Sequence, residues 1–154
     1  MEKPRFAFTT NGHFSGELKP AAIPIEEIRR RAELLDGVER FSLSLWAQPT
    51  TVAFDKIDLS KWPFEYIQAA GSRDRLLVEL RKVEGGIARQ FAIGRRSVEP
   101  SQSAKEEIVA WNGCLSKVMQ NEILDSQDCV QLFLGYISSE MDLEMYSLRL
   151  LTIS

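Results

Sequence analysis

Six acidic residues near the end of the chain, Glu122, Asp125, Asp128, Glu140, Asp142 and Glu144, are its most concentrated set of chemically capable side chains. Gathered on one surface, they would attract a basic partner and hasten its approach. The charge distribution points the same way. Residues 1–100 carry 16 Lys and Arg against 14 Asp and Glu, whereas residues 101–154 carry three against eight. The net charge of −3 is therefore a remainder at +2 and a C-terminal third at −5. Such a third argues against nucleic acid on that face, because phosphate binding needs the opposite sign. An ordinary solvated acidic surface would carry the same pattern. Trp46, on the polar face of its strand, and Trp62 and Tyr66 are the candidate aromatic anchors beside it. Interfaces favour aromatic anchors within a charged rim, although each Trp also suits an ordinary core.

Catalytic chemistry has less to draw on. His13 is the one histidine, it sits beside a turn, and no nucleophile-elbow motif accompanies it. Cys114 and Cys129 lie 15 positions apart and match no metal or redox spacing, so neither a zinc site nor a disulfide framework is expected. No calcium-loop pattern appears. Gly85-Gly86 falls in a strand-to-strand turn with no Walker lysine after it, which is the wrong setting for a phosphate loop. The adjacent acids Glu26/Glu27 and Glu106/Glu107 fall at expected helix starts, where favourable interaction with the helix dipole accounts for them. Arg29, Arg30 and Arg31 are interleaved with Glu26, Glu27 and Glu33, giving ion pairs along a helix instead of an open basic field. No catalytic residue, metal site or cofactor is expected.

The elements that must position these residues begin with the best-specified hairpin, Asp74 to Arg95. Leu76, Val78 and Leu80 alternate with Leu77, Glu79 and Arg81, the period of a strand with one face in a core. Glu84-Gly85-Gly86 supplies the reversal. Ile87, Arg89, Phe91 and Ile93 then share one face, with Ala88, Gln90 and Ala92 on the other. Upstream, Asn11-Gly12 between Arg5–Thr10 and His13–Lys19 is a second hairpin signal. Pro20 to Pro24 break the pattern, and Ile25, Ile28, Ala32 and Leu35 recur at helical spacing up to Gly37. Phe41, Leu43, Leu45 and Ala47 read as the inward row of a strand ended by Pro49. Residues 51–54 suit a short edge strand, and Ser60–Ile67 a short capped helix ending at Gly71.

Residues 95–102 read as a loop within one domain. Ser103 and Glu106 fit a capping box, followed by an apolar stripe of Ile108, Trp111, Leu115, Val118 and Met119. One helix over Ser103–Leu124, weak at Asn112-Gly113, is expected; a strand followed by a shorter helix is the alternative. Val130, Leu132, Leu134 and Tyr136, then Leu143, Met145 and Ser147, alternate as a last hairpin around Ser138–Asp142. With 154 residues, 44% hydrophobic and 27% charged, these elements predict a single α+β domain over residues 1–154. It would be a mainly antiparallel sheet of about six to eight strands with two or three helices packed on it. No apolar run reaches the roughly 20 residues that span a bilayer. The first residues lead straight into Phe6-Ala7-Phe8, unlike a signal peptide, so a reduced cytoplasmic protein is expected.

At Gly16-Glu17-Leu18, with Pro20 and Ile23 following and then Phe41-Ser42-Leu43-Ser44-Leu45-Trp46, the chain resembles immunity proteins of contact-dependent growth inhibition systems. The resemblance covers roughly the first hundred residues. It implies a small cytosolic α+β protein that neutralises a cognate toxin domain and has no catalysis of its own. The expectation is therefore a binding protein whose acidic surface meets a protein partner, such as a basic toxin domain. Two alternatives belong to other classes. One is a small-molecule-binding domain or minor enzyme, which a large apolar pocket with a buried carboxylate would favour. The other is a homodimer paired through an open sheet edge.

Overall fold

The chain is described by a computed structural model over residues 5–19, 24–49, 52–96 and 105–153. Asn11 and Gly12 turn at φ 55° and 71° and join β1 (Phe6–Thr10) to β2 (Phe14–Glu17) in the expected hairpin. The Asn11 side chain then reaches across the fold. Its Oδ1 accepts from Phe41 N at 2.8 Å and its Nδ2 donates to Glu39 O at 2.7 Å. Helix α1 (Pro24–Glu33) starts on its proline and buries Ile28 and Ala32. Glu27 accepts hydrogen bonds from both Arg30 and Arg31, so two of the three arginines are paired along the helix.

Strands β3 (Ser42–Ala47), β4 (Tyr66–Ser72), β5 (Arg75–Glu84), β6 (Ile87–Arg95) and β9 (Tyr146–Ile153) complete a seven-stranded sheet. Its order is β2-β1-β3-β4-β5-β6-β9, with every neighbouring pair antiparallel. The β5–β6 hairpin has the expected facing, with Val78 opposite Ile93 and Leu80 opposite Phe91. One face of the sheet packs Phe8, Leu43, Leu45, Ile67, Val78 and Ile93 beneath α1 and α2 (Ser126–Ser138). This is the α+β class expected from the pattern.

Five local expectations are overturned. Residues 103–124 do not form a helix: β7 (Glu106–Trp111) and β8 (Cys114–Met119) make a separate two-stranded hairpin. Asn112 and Gly113, at φ 48° and 74°, make its turn, and that turn chemistry outweighs the helical spacing of the apolar residues. Glu106 therefore opens a strand, and Ser103 lies outside the described residues, as do residues 97–102 and Pro20–Ile23. The second overturned expectation is the strand at Val130–Tyr136, which is part of α2. Its apolar surface is broad enough to read as period 2, while Asp125 and Asp128 cap its start. No last hairpin follows, since Ser139 ends α2 at φ 58° and β9 joins β6 at the sheet edge. Finally, no helix covers Ser60–Ile67, because Tyr66 already begins β4, and Phe54–Lys56 is a short 3-10 turn where an edge strand was expected; Thr51 lies outside the described residues.

The second face of the sheet is also covered. The β7–β8 hairpin lays Val109 and Val118 on Ala70 and Leu77. The 52–65 segment brings Ile57 onto Ala7 and Trp46. The tight β4–β5 turn, with β7 packed over it, requires glycine at position 71. Its φ is 120°, and a Cβ there would collide with the Arg75 carbonyl oxygen and press on Val109. Gly71→Ala should therefore lower stability by about 3 kcal/mol in urea unfolding. An unchanged midpoint would refute the constraint.

Candidate functional site

The six acids divide by local fate. Glu122 ends a short 3-10 turn (Gln120–Glu122) and is buried, its side chain 4% exposed. Its Oε1 accepts from Met119 N at 2.8 Å. Arg149 on β9 grips it with two bonds, Nε to Oε2 at 2.8 Å and Nη2 to Oε1 at 2.7 Å. A fork held in this way is an internal tie between β9 and the hairpin connection.

Asp125 and Asp128 form a second internal unit. Each side chain accepts from the other's backbone N–H, at 3.0 and 3.1 Å, so the first turn of α2 closes on itself. Arg95, at the end of β6, donates to both carboxylates. Tyr146, at the start of β9, donates its hydroxyl to Asp128 Oδ1 at 2.7 Å. Burial raises the Asp128 carboxyl, but the hydrogen bonds from Arg95, Tyr146 and the Asp125 N–H outweigh it and hold it below the usual aspartate range. Burial, then the bond to Asp128, pushes the Tyr146 phenol up.

Glu140, Asp142 and Glu144 alone remain open. They lie in the turn between α2 and β9, all exposed, and take part in no ion pair among the described residues. Asp142 shapes the turn: its Oδ1 accepts from Glu144 N at 3.0 Å and Met145 N at 3.1 Å. Arg96 fastens the turn's backbone to the sheet, donating Nε to Leu143 O at 2.6 Å and its own N–H to Met145 O at 2.9 Å. Between the acids stand Leu143 and Met145, 52% and 62% exposed. Beside them a groove of about 360 Å³ runs along α2, lined by Gln131, Leu134, Gly135 and Ser138. Sequence reasoning missed both apolar residues because it assigned them to the alternation of a strand.

Trp46 is not an exposed anchor. It is fully buried, packed with Ala7 and Ile57, and its Nε1 donates to Thr9 Oγ1 at 2.9 Å. Alternation had placed it correctly on the second face, but that face is covered by the 52–65 segment. Trp62 and Tyr66 are half-buried against the same cluster.

Glu79 was overlooked as well, although it shares a strand face with Leu77, where an acid stands out. It lies in a cavity of about 240 Å³ under the β7–β8 hairpin, lined by Ala92, Trp111, Val118, Glu122 and Arg149. Burial pushes its carboxyl up, the Gln90 amide offsets part of this, and the Glu122 charge adds to it. A half-buried carboxylate is thus present, but its cavity is smaller than the roughly 300 Å³ at which small-molecule pockets begin. Cys114 is exposed and Cys129 buried, and both thiols are free. Among the described residues no three His, Cys, Asp or Glu side chains come close enough to hold a metal ion, and no helix is long and apolar enough to cross a membrane. Compared with known proteins, the chain matches no family, no curated protein and no solved structure.

Two carboxylates should leave opposite marks on the pH profile. The folded pKa of Asp128 is depressed, so the stability it contributes is present above about pH 4 and lost as pH falls through the folded value. Asp128→Asn should cost about 1–2 kcal/mol at pH 7, with the cost shrinking below pH 4. The folded pKa of Glu79 is raised. Its contribution is present below about pH 4 and lost as pH rises through the folded value. Glu79→Gln should therefore melt no lower than the parent at pH 7 and flatten the fall in stability above pH 4. Thermal melts across pH 3–8 read both; parallel profiles for parent and variants would contradict the network. In the native state a thiol reagent should modify Cys114 alone, because burial pushes the Cys129 thiol up and hides it.

Proposed function

We propose that this chain is a non-catalytic binding protein that engages a protein partner through the turn between α2 and β9. The observation that carries this reading is the meeting, on one exposed turn, of Leu143 and Met145 with Glu140, Asp142 and Glu144. An apolar centre with a charged rim is the composition of a recognition surface. Burying the remaining exposed half of each apolar side chain against a partner would contribute about 1 kcal/mol each. The carboxylates would steer a basic partner and fix its orientation. The groove beside α2 gives a partner side chain a seat next to that centre.

The partner class follows from the resemblance to immunity proteins: a basic toxin domain, neutralised by occlusion in the cytosol. Two free thiols suit that reducing compartment. The turn is rigid enough for such a role, since Asp142 and Arg96 order its backbone before any partner arrives, which lowers the entropy lost on binding.

The test is co-expression with any toxin domain that the neighbouring gene encodes, followed by binding kinetics. Growth should be restored by the parent chain. The double variant Glu140→Lys/Glu144→Lys should associate about tenfold more slowly at low salt, with the difference narrowing at high salt. Leu143→Ala/Met145→Ala should instead dissociate about tenfold faster. Asp142 is kept because it holds the turn. Unchanged rates in both variants would sink the proposed surface, and failure of the parent to bind or protect would sink the toxin reading.

A further inference from the structure

The β7–β8 hairpin has two faces, and the sheet covers one of them. Residues directly opposite in an antiparallel pair share a face. Glu107, Val109 and Trp111 therefore go with Ser116 and Val118, and Val109 and Val118 pack on Ala70 and Leu77. The other face carries Glu106, Ile108 and Ala110 with Leu115 and Lys117, all exposed. Ile108 stands opposite Lys117, and Ala110 opposite Leu115.

A strand with one buried face ordinarily turns polar residues to water. Here the solvent face is apolar at its centre, with Ile108 51% and Leu115 72% exposed. Asn112 N donates to Gly37 O at 2.7 Å, which brings Val38, also 72% exposed, beside the hairpin's tip. The exposed apolar area is on the order of a few hundred Å², where such patches begin to mark interaction sites. Two charges border it. Glu106 and Lys117 lie diagonally across the pair and take part in no ion pair among the described residues. Lys117 also borders the Glu79 cavity, but that carboxyl responds to burial, Gln90, Glu122 and Arg149, and not to the Lys117 charge.

We infer that this face pairs with the same face of a second copy, about a two-fold axis running along the strands. That operation lays β7 of each chain over β8 of the other. Ala110 and Leu115 then meet Leu115 and Ala110 of the second copy, and Ile108 lies against the stem of its Lys117. Each Lys117 ammonium reaches the Glu106 carboxylate of the other chain, one row along, so the ion pairs are reciprocal. An axis across the strands would instead set Lys117 on Lys117, and charge therefore selects the first arrangement. A face that carries both members of its ion pairs is complementary to itself, which favours a second copy over an unrelated partner. The face is small beside the roughly 800 Å² per partner of a standard interface, so the dimer is weak. The α2–β9 turn lies outside it, and the inference is independent of the proposed partner surface.

Sedimentation velocity on the full chain, from about 10 µM to about 1 mM, reads the outcome. The parent should exchange reversibly between monomer and dimer, with a Kd of about 10–100 µM. Leu115→Gln should raise the Kd at least about tenfold. Lys117→Glu or Glu106→Lys alone should raise it about tenfold. All three positions are exposed, so thermal melts of these variants should match the parent. The exchange variant Glu106→Lys/Lys117→Glu should return the Kd to within about twofold of the parent. Leu143→Ala/Met145→Ala should leave it unchanged. A parent that stays monomeric, a dimer indifferent to Leu115→Gln, an exchange variant no tighter than the single ones, or a dimer lost in the turn variant would each overturn the inference.

Discussion

Asp128 is the joint on which the C-terminal half of this fold depends. It closes the first turn of α2, receives Arg95 from the end of β6, and receives the Tyr146 hydroxyl from the start of β9. Three elements distant in the chain are thereby fixed to one carboxylate. An acid in this position would be costly to bury alone, and its burial is offset only because every partner donates to it. The same contacts determine where α2 begins and where β9 enters the sheet. The turn between them, with Leu143 and Met145, inherits its position from that joint.

A second constraint is that the sheet is apolar on both sides while only two α-helices lie among the described residues. α1 and α2 cover one face. On the other, Trp46, Ala70 and Leu77 need cover, and two non-helical pieces provide it: the β7–β8 hairpin over one end and the 52–65 segment over the other. Covers of this kind fit less continuously than a packed helix. The Glu79 cavity lies beneath the hairpin.

What the sequence made legible follows the same division. Strands whose two faces differ, such as β5 and β6, declare themselves by alternation, and Asn11-Gly12 announces its hairpin. Legibility fails where both faces are buried or where two periods fit. In α2 the residues from Cys129 to Ile137 are apolar around most of the helix, so Val130, Leu132 and Leu134 also satisfy a strand's period. The deciding signal lay just upstream, in Asp125 and Asp128 spaced as a capping box. Residues 106–119 posed the opposite problem, a helical stripe interrupted by Asn112-Gly113, and there the turn was decisive. Trp46 was placed on the correct face, but nothing in the local pattern says that a segment some ten residues on folds back over it.

The acidic third shows why charge counted along a chain is not charge presented by a surface. Its excess was summed over residues 101–154, yet Arg95 comes from outside that window and engages both Asp125 and Asp128. Glu122 is matched by Arg149 from within it. Half of the six acids are therefore structural, and they hold the elements whose ends define the turn. The other half are open because the turn's backbone is already satisfied, by Asp142 at Glu144 and Met145 and by Arg96 at the Leu143 and Met145 carbonyls. A surface with few remaining backbone needs can present its side chains to a partner with little further ordering. The residues that look alike in the sequence divide by burial into those that build the site and those that form its face.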